Sequence, residues 1–301
     1  EGNVVAEGNG ADTTLKVADV HLWDGVADPY LYTVEAELTV DGKAVDKVQT
    51  TCGVRYYKFD PDKGFFLNGR PYNLHGVSRH QDFKGIGNAI KKEHHDKDME
   101  LIREIGANTI RLAHYQHDQY FYDLCDKYGM VVWAEIPYIS EHLANGDANT
   151  ESQMKELIIQ NYNHPCIVMW GLSNEITISG RSKKKQMLEN HRRLQKMVKE
   201  MDSTRTTTLA CYAVALHWEP SAHISDIVAW NLYLGWYVPC LRLNDLWISL
   251  WKLLYPKRCL GYSEYGAEGM PNLHAAKPRR GDNTEEYQNK YHEFMLKCFK
   301  R

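Results

Sequence analysis

From about residue 65 onward the chain alternates short apolar runs with stretches of helical periodicity, and nothing else in the sequence limits the fold as much. The apolar runs lie at 72–77, 109–113, 130–136, 167–172, 206–210, 227–232 and 259–262, and the helical stretches at 93–105, 119–128, 152–161, 187–201, 243–254 and 285–299. Within the helical stretches the apolar residues form a stripe, as Met187, Leu194, Met197, Val198 and Met201 do, which is the pattern of a helix with one buried face. Strands separated by helices predict a parallel sheet. Seven strands can be counted, enough for a doubly wound sheet or for a barrel one strand short. No G-x-G-x-x-G follows the first strand, which argues against a dinucleotide-binding sheet. The expected fold is therefore α/β, a (β/α)8 TIM-type barrel truncated before its eighth strand.

Residues 1 to about 53 read differently. Tyr32, Val34, Ala36, Leu38 and Val40 alternate with Thr33, Glu35, Glu37 and Thr39, the period of a strand with one buried face. Asp41-Gly42 follows, a pair suited to a two-residue hairpin because both positions tolerate positive φ. Ala44, Val45 and Val48 continue on the return strand. Two or three strands are too few for a sandwich of about seven. Residues 1–60 are thus expected to be a partial immunoglobulin-like β-sandwich segment, and residues 61–301 the barrel.

Composition narrows the function classes. The 301 residues are 43% hydrophobic and 25% charged with a net charge of −3, so the chain is neither disordered nor a basic nucleic-acid binder. The run Arg181, Lys183, Lys184, Lys185 reads as a solvated helix start. No apolar run nears the ~20 residues that cross a bilayer. Eight Trp and 19 Tyr supply flat faces that suit sugar rings, cores and interfaces alike. Seven cysteines without a C-x-x-C pair read as reduced thiols, and with no targeting segment a cytoplasmic location is expected. The chain starts at Glu1, inside what reads as a domain, and is expected to be part of a longer protein.

In a barrel, chemistry gathers where strands end. Those ends carry His75 to His80, Arg111 to His117, Glu135 to Glu141, Ser173-Asn174-Glu175, Asn231 to Trp236 and Ser263-Glu264. Two carboxylates on different strand ends can face one spot over the barrel axis, and glycosidic cleavage needs such a pair: one protonates the leaving oxygen, the other attacks or activates water. A single glutamate would more often be a surface ion-pair partner. Two glutamates, each closing an apolar strand beside hydrogen-bonding residues, favour a site. His114 and His117 alone do not make a zinc site, which wants three or four convergent ligands.

The stretches Asn174-Glu175 and Ser263-Glu264-Tyr265-Gly266, each after an apolar strand, resemble glycoside hydrolase family 2. So do Gly53-Val54-Arg55, Phe65-Phe66-Leu67-Asn68-Gly69, Asn108 to Tyr115, Asp126-Lys127-Tyr128-Gly129 and Asn231 to Tyr237. The wording is most like the family's bacterial β-galactosidases. The resemblance implies a retaining hydrolase acting on terminal β-galactosides, with Glu175 as general acid/base, Glu264 as nucleophile and the two carboxyl groups about 5–5.5 Å apart. It further implies that Asn174 bonds the sugar 2-hydroxyl, that Tyr233 holds the nucleophile, that His114, His80 and Trp236 line the sugar subsite, and that Arg111 supports the glutamates. No motif requires a cofactor. The resemblance leaves room for Mg2+ in the full-length enzyme, with Glu141 as a loosely matched ligand.

Two alternatives stand beside the galactosidase expectation. One is β-glucuronidase of the same family, which the Asn231–Tyr237 wording also resembles; its Asn-x-Lys element for the sugar carboxylate is not matched by Asn289-Lys290. The other is a non-catalytic carbohydrate-binding module. Ser78 departs from the family's frequent Asn, and neither the eighth strand nor an N-terminal jelly-roll domain has a counterpart in the sequence. The chain alone is therefore expected to be weakly active or inactive, and self-association through the open barrel edge is expected, with no nucleic-acid or membrane partner.

Overall fold

The computed structural model describes residues 2–176, 184–212 and 215–300. Seven parallel strands form one sheet in sequential order: β6 (Gly76–Arg79), β7 (Thr109–Leu112), β8 (Val131–Glu135), β9 (Ile167–Asn174), β10 (Thr206–Tyr212), β11 (Ile227–Asn231) and β12 (Leu260–Glu264). Outside lie α1 (Lys92–Glu104), α2 (Gln119–Tyr128), α3 (Gly146–Asn161), α4 (Lys184–Met201), α5 (Leu243–Leu254) and α6 (Glu285–Phe299). Between β10 and β11 lies a short 3-10 turn, Pro220–His223. The expected seven-strand barrel is what the chain forms. The side-chain hydroxyl of Ser78 on β6 donates to the Ser263 carbonyl on β12 at 3.2 Å, spanning the gap between first and last strands.

Every residue of β8, β9 and β11 is buried. Strands covered on both sides read as continuous apolar runs rather than as alternation, and Val131-Val132-Trp133-Ala134 and Ile167-Val168-Met169-Trp170 do so. Register then sets which residues share a level. Arg111 pairs with Trp133, Glu135 with Gly171, Ala210 with Asn174, and Asn231 with Glu264. The polar residues at the strand ends therefore meet at one height above an apolar interior.

The first barrel strand begins four residues later than the apolar run at 72–77 suggests. That run belongs largely to the exit from a three-stranded meander: β3 (Tyr57–Asp60), β4 (Gly64–Leu67) and β5 (Arg70–Pro71). The meander packs Tyr57, Phe59, Phe65 and Tyr72 against one another and fastens to the start of β9. Arg55 donates to the carbonyls of Pro165 and Ile167, and the Tyr57 hydroxyl to that of Val168. It closes the amino-terminal end of the barrel. The expected domain boundary at 60/61 falls inside the β3–β4 pairing.

β1 (Tyr32–Val40) and β2 (Lys43–Cys52) form the anticipated hairpin, with positive φ at both Asp41 and Gly42. Its apolar face, however, is uncovered: Leu38 and Val48 are each 61% exposed. The alternation specified a face for burial, but no second layer among the described residues lies against it.

Gly171 shows how tightly the interior is drawn. A Cβ there would lie 2.3 Å from Trp133 Nε1 and 2.5 Å from Glu135 Cβ, distances no methyl can occupy. Gly171→Ala is expected to cost about 1–3 kcal/mol by overpacking, read as a lower denaturation midpoint; an unchanged midpoint would mean β8 and β9 are not packed in this way.

Candidate active site

The strand ends deliver one continuous polar network, centred on Arg111 of β7. This side chain is 5% exposed. Its Nε donates to Glu135 Oε2 at 3.0 Å, and its Nη2 to Glu135 Oε1 at 2.9 Å and Asn174 Oδ1 at 2.8 Å. Its Nη1 donates to Glu264 Oε1 at 2.6 Å. The second oxygen of Glu264 accepts from the Tyr233 hydroxyl at 2.8 Å. Asn231 Nδ2 donates to Asn174 Oδ1 at 3.1 Å and to Glu175 Oε1 at 2.9 Å. Ser263 Oγ donates to Asn231 Oδ1 at 2.7 Å, which fixes that amide with its NH2 toward Glu175. The two glutamates are thus joined through Arg111, Asn174 and Asn231.

Glu175 ends β9 with a φ of +50°, the left-handed region that non-glycine residues seldom adopt. Such strain persists where surrounding structure over-determines it and clusters at functional sites. Here the Glu175 N–H donates to the Ala210 carbonyl of β10 at 2.8 Å, and the preceding residue is held by Arg111 and Asn231.

The two carboxyl groups sit in different electrostatic surroundings. Burial pushes the Glu175 carboxyl above its ordinary range; the Asn231 hydrogen bond counters this in part, and the charge of Glu264 adds to the rise. Glu264 instead takes the guanidinium and the phenol. Glu135 is fully buried, which opposes its ionisation, yet Arg111 and His114 outweigh burial and hold it below the usual carboxylate range. Burial likewise opposes the charge of Arg111, and Glu135 and Glu264 more than offset it. Burial, the charge of Glu264 and the hydrogen bond to it raise the Tyr233 phenol, so it remains a donor.

His114 completes the inner ring. Its Nδ1 lies 2.9 Å from Glu135 Oε1 and its Nε2 3.7 Å from Glu264 Oε1. His80 is exposed, with its ring 5.1 Å from that of His114 and nearly edge-on to it. Of the residues anticipated from sequence, Glu175, Glu264, Asn174, Arg111, Tyr233 and His114 therefore come together, with His80 at the rim.

Two anticipated residues do not join them. Trp236 is 8% exposed and packs with Ala267, Tyr287 and Tyr291. The turn at 233–238 directs it inward against α6, and the ring beside Tyr233, at 5.0 Å, is the exposed Tyr237. Glu141 is exposed and belongs to no group of three metal-ligating side chains among the described residues. Mg2+ favours a near-octahedral oxygen shell, and one exposed carboxylate does not fit it. The cluster that does have ligand spacing, Asp126, His164 and Cys166, lies at the start of β9. There Asp126 is already bonded to His164 Nδ1 and to the Cys166 N–H.

Sequence reading gave Glu135 no part in the central network and left Asn231 and Ser263 without roles. The available signal was that Glu135 closes an apolar strand as Glu175 and Glu264 do. It also passed over His191 of α4, fully buried, whose Nδ1–H donates to the Met187 carbonyl at 2.7 Å. Its Nε2 accordingly accepts from Ser173 Oγ at 2.7 Å, bracing β9 next to Asn174.

A parallel barrel with two glutamates joined at its carboxyl face through a buried arginine and two asparagines has the architecture of the barrel glycoside hydrolases. The chain belongs to glycosyl hydrolases family 2: residues 61–299 match the family's TIM barrel domain and residues 1–55 match a further family 2 domain. It is 41% identical over 262 residues to a β-glucuronidase of Bacteroides fragilis, covering 84% of this chain and 36% of the relative. Among solved structures it resembles an FMN-binding β-glucuronidase from Faecalibacterium prausnitzii L2-6, with a TM-score of 0.93 and 45% identity over 98% of this chain and 46% of that one. It also resembles Bacteroides uniformis β-glucuronidase 2 covalently bound to cyclophellitol-6-carboxylate aziridine, with a TM-score of 0.89 and 38% identity over 96% of this chain and 36% of that one. The chain thus spans less than half the length of these relatives.

Burial holds His191 neutral, pushing its pKa down to about 4. A base with a depressed folded-state pKa contributes stability that is present above its unfolded value of about 6.5 and lost as pH falls toward 4. Unfolding free energy should drop by roughly 3 kcal/mol over that window on account of this group, and His191→Gln should flatten the slope; an identical slope in the variant would refute the assignment.

Proposed function

We propose that the chain carries the sugar-cleaving part of a retaining β-glycosidase, with β-glucuronides as its substrate class. The observation that carries the reading is the pairing of unlike carboxyl groups in one hydrogen-bonded network. Glu175, raised by burial, is the carboxyl suited to give a proton to a departing glycosidic oxygen. Glu264, aligned at both oxygens by Arg111 and Tyr233, attacks the anomeric carbon to form a glycosyl ester. Water then hydrolyses that ester with Glu175 acting as base. His114 and His80 stand beside Glu264, where sugar hydroxyls would meet them.

The sequence reading put β-galactosides first and β-glucuronides second; the β-glucuronidase names of the relatives support the second. A glycosidase of this design needs no cofactor for the bond cleavage itself. A purely carbohydrate-binding role is disfavoured by the strained backbone of Glu175 and by the burial of charge around Arg111, neither of which sugar binding requires.

Purified chain is expected to release 4-nitrophenol from the β-D-glucuronide faster than from the β-D-galactoside, and Glu264→Gln should abolish release. The opposite preference would restore the galactoside reading. An unchanged rate in the variant would end the two-glutamate mechanism. Because the chain spans only part of its relatives, covalent labelling by a glucuronate-configured cyclophellitol aziridine gives a more sensitive readout, with the added mass expected on Glu264.

Leaving-group dependence tests the second carboxyl. Glu175→Gln should slow substrates with poor leaving groups by the 10²–10⁴-fold typical of general acid catalysis, and slow 4-nitrophenyl substrates less in the first step. In the unaltered chain, activity on poor leaving groups should fall as pH rises through the elevated Glu175 range. Equal losses on both substrate types would remove Glu175 from the acid role.

A further inference from the structure

Among the buried carboxylates that the two-glutamate mechanism does not use, Glu135 shares its arginine with Glu264. We propose that Glu135 is a positioning residue for Glu264, acting through Arg111 and His114; this rests on the glycosidase reading.

The geometry is specific. Glu135 ends β8 with no solvent exposure, seated against the space that Gly171 leaves open. Its two oxygens take Arg111 Nε and Nη2 as a fork. A guanidinium is planar and rigid, so fixing two of its N–H groups fixes the direction of the rest. What remains is Nη1, directed at Glu264. From below, the Trp133 ring lies 4.9 Å from the guanidinium carbon and closes that face.

His114 Nδ1 lies 2.9 Å from the same Oε1 of Glu135 and 3.1 Å from Arg111 Nη2. Nη2 has its two hydrogens for Glu135 and Asn174, and a carboxylate only accepts, so Nδ1 donates to Glu135. A ring nitrogen that donates there leaves Nε2 as the acceptor in the neutral imidazole, and Nε2 is the atom facing Glu264 and the cavity. One buried carboxylate thus sets both the direction of the cation and the tautomer of the histidine beside Glu264. The charged and titratable groups around Glu264 are Arg111 from β7, His114 after it, Glu175 from β9 and Tyr233 after β11. Glu135 touches the first two.

Glu135→Gln keeps the shape but offers one acceptor and presents an NH2 to the N–H groups of Arg111. Arg111 or His114 must then turn. A misplacement on the order of 1 Å near the reacting atoms costs on the order of 10²-fold, so kcat should fall about that much with KM within about threefold. Glu135→Asp, which keeps the charge, should recover part of the loss. Arg111→Lys, which cannot make the fork, should cost about as much as Glu135→Gln, and the double variant no more than either alone. Additive losses would overturn the proposal, because they would mean Glu135 does not act through Arg111.

A second readout is independent of turnover. In ¹⁵N-arginine-labelled protein, the Arg111 Nε–H resonance, assigned by its loss in Arg111→Lys, should shift in Glu135→Gln. An unmoved resonance overturns the proposal even if no variant is active. Absence of both turnover and aziridine labelling in the unaltered chain would instead end the reading of this chain as sufficient for glycoside cleavage, with the resonance still reporting whether Glu135 holds Arg111.

Discussion

The buried guanidinium of Arg111 organises this molecule's carboxyl face. Taking a cation out of water is expensive, and the attraction of partners offsets that cost only with good geometry and full hydrogen bonding. Arg111 meets both conditions, with two carboxylates and one amide oxygen around it. The arrangement also makes the two glutamates unlike. Glu264 receives the cation and a phenol, while Glu175 receives an amide and lies close enough to Glu264 for its charge to matter. Environments that push two titratable groups apart are what acid and nucleophile roles require. The asymmetry comes from the connectivity of one side chain.

The fold makes that connectivity affordable. Register brings residues from β7, β8, β9, β11 and β12 to one level, so no long loop has to be ordered to build the network. Beneath it the interior is apolar and close-packed, with Trp133 under Arg111 and no room for a side chain at Gly171. At the far end the meander and its Arg55 and Tyr57 anchors hold the start of β9. His191 braces the other end of the same strand through Ser173. β9 is the longest described strand of the barrel and runs to Asn174, so what fixes the strand also fixes the residue before Glu175.

Much of this could be read in the residues, for reasons that differ by element. The barrel strands and helices were visible because burial on both faces writes continuous apolar runs and burial on one face writes a stripe. The two glutamates stood out because each closes such a run. The fate of the β1–β2 face was not readable, since alternation states which side seeks cover and not whether a covering layer lies in the same chain. Trp236 and Tyr237 are adjacent aromatics, and only the turn at 233–238 decides which points inward. Glu135 escaped because its partner is set by register across β7 and β8, a distance in space that spacing along the chain does not encode.

The network also bears on how the barrel holds together. β12 is covered less than its neighbour: most of its residues are only half-buried, whereas β11 is wholly buried. Among the described residues the backbone ladder of β12 runs to β11 alone. Two side-chain bonds tie it back to the opposite end of the sheet: Arg111 of β7 to Glu264, and Ser78 of β6 to the Ser263 carbonyl. The polar contacts that align Glu264 are therefore among those that draw the last strand toward the first two. Weakening the Arg111 contact would loosen β12 as well as misdirect its glutamate, so closure of the sheet and the geometry of the site are two readings of one interaction.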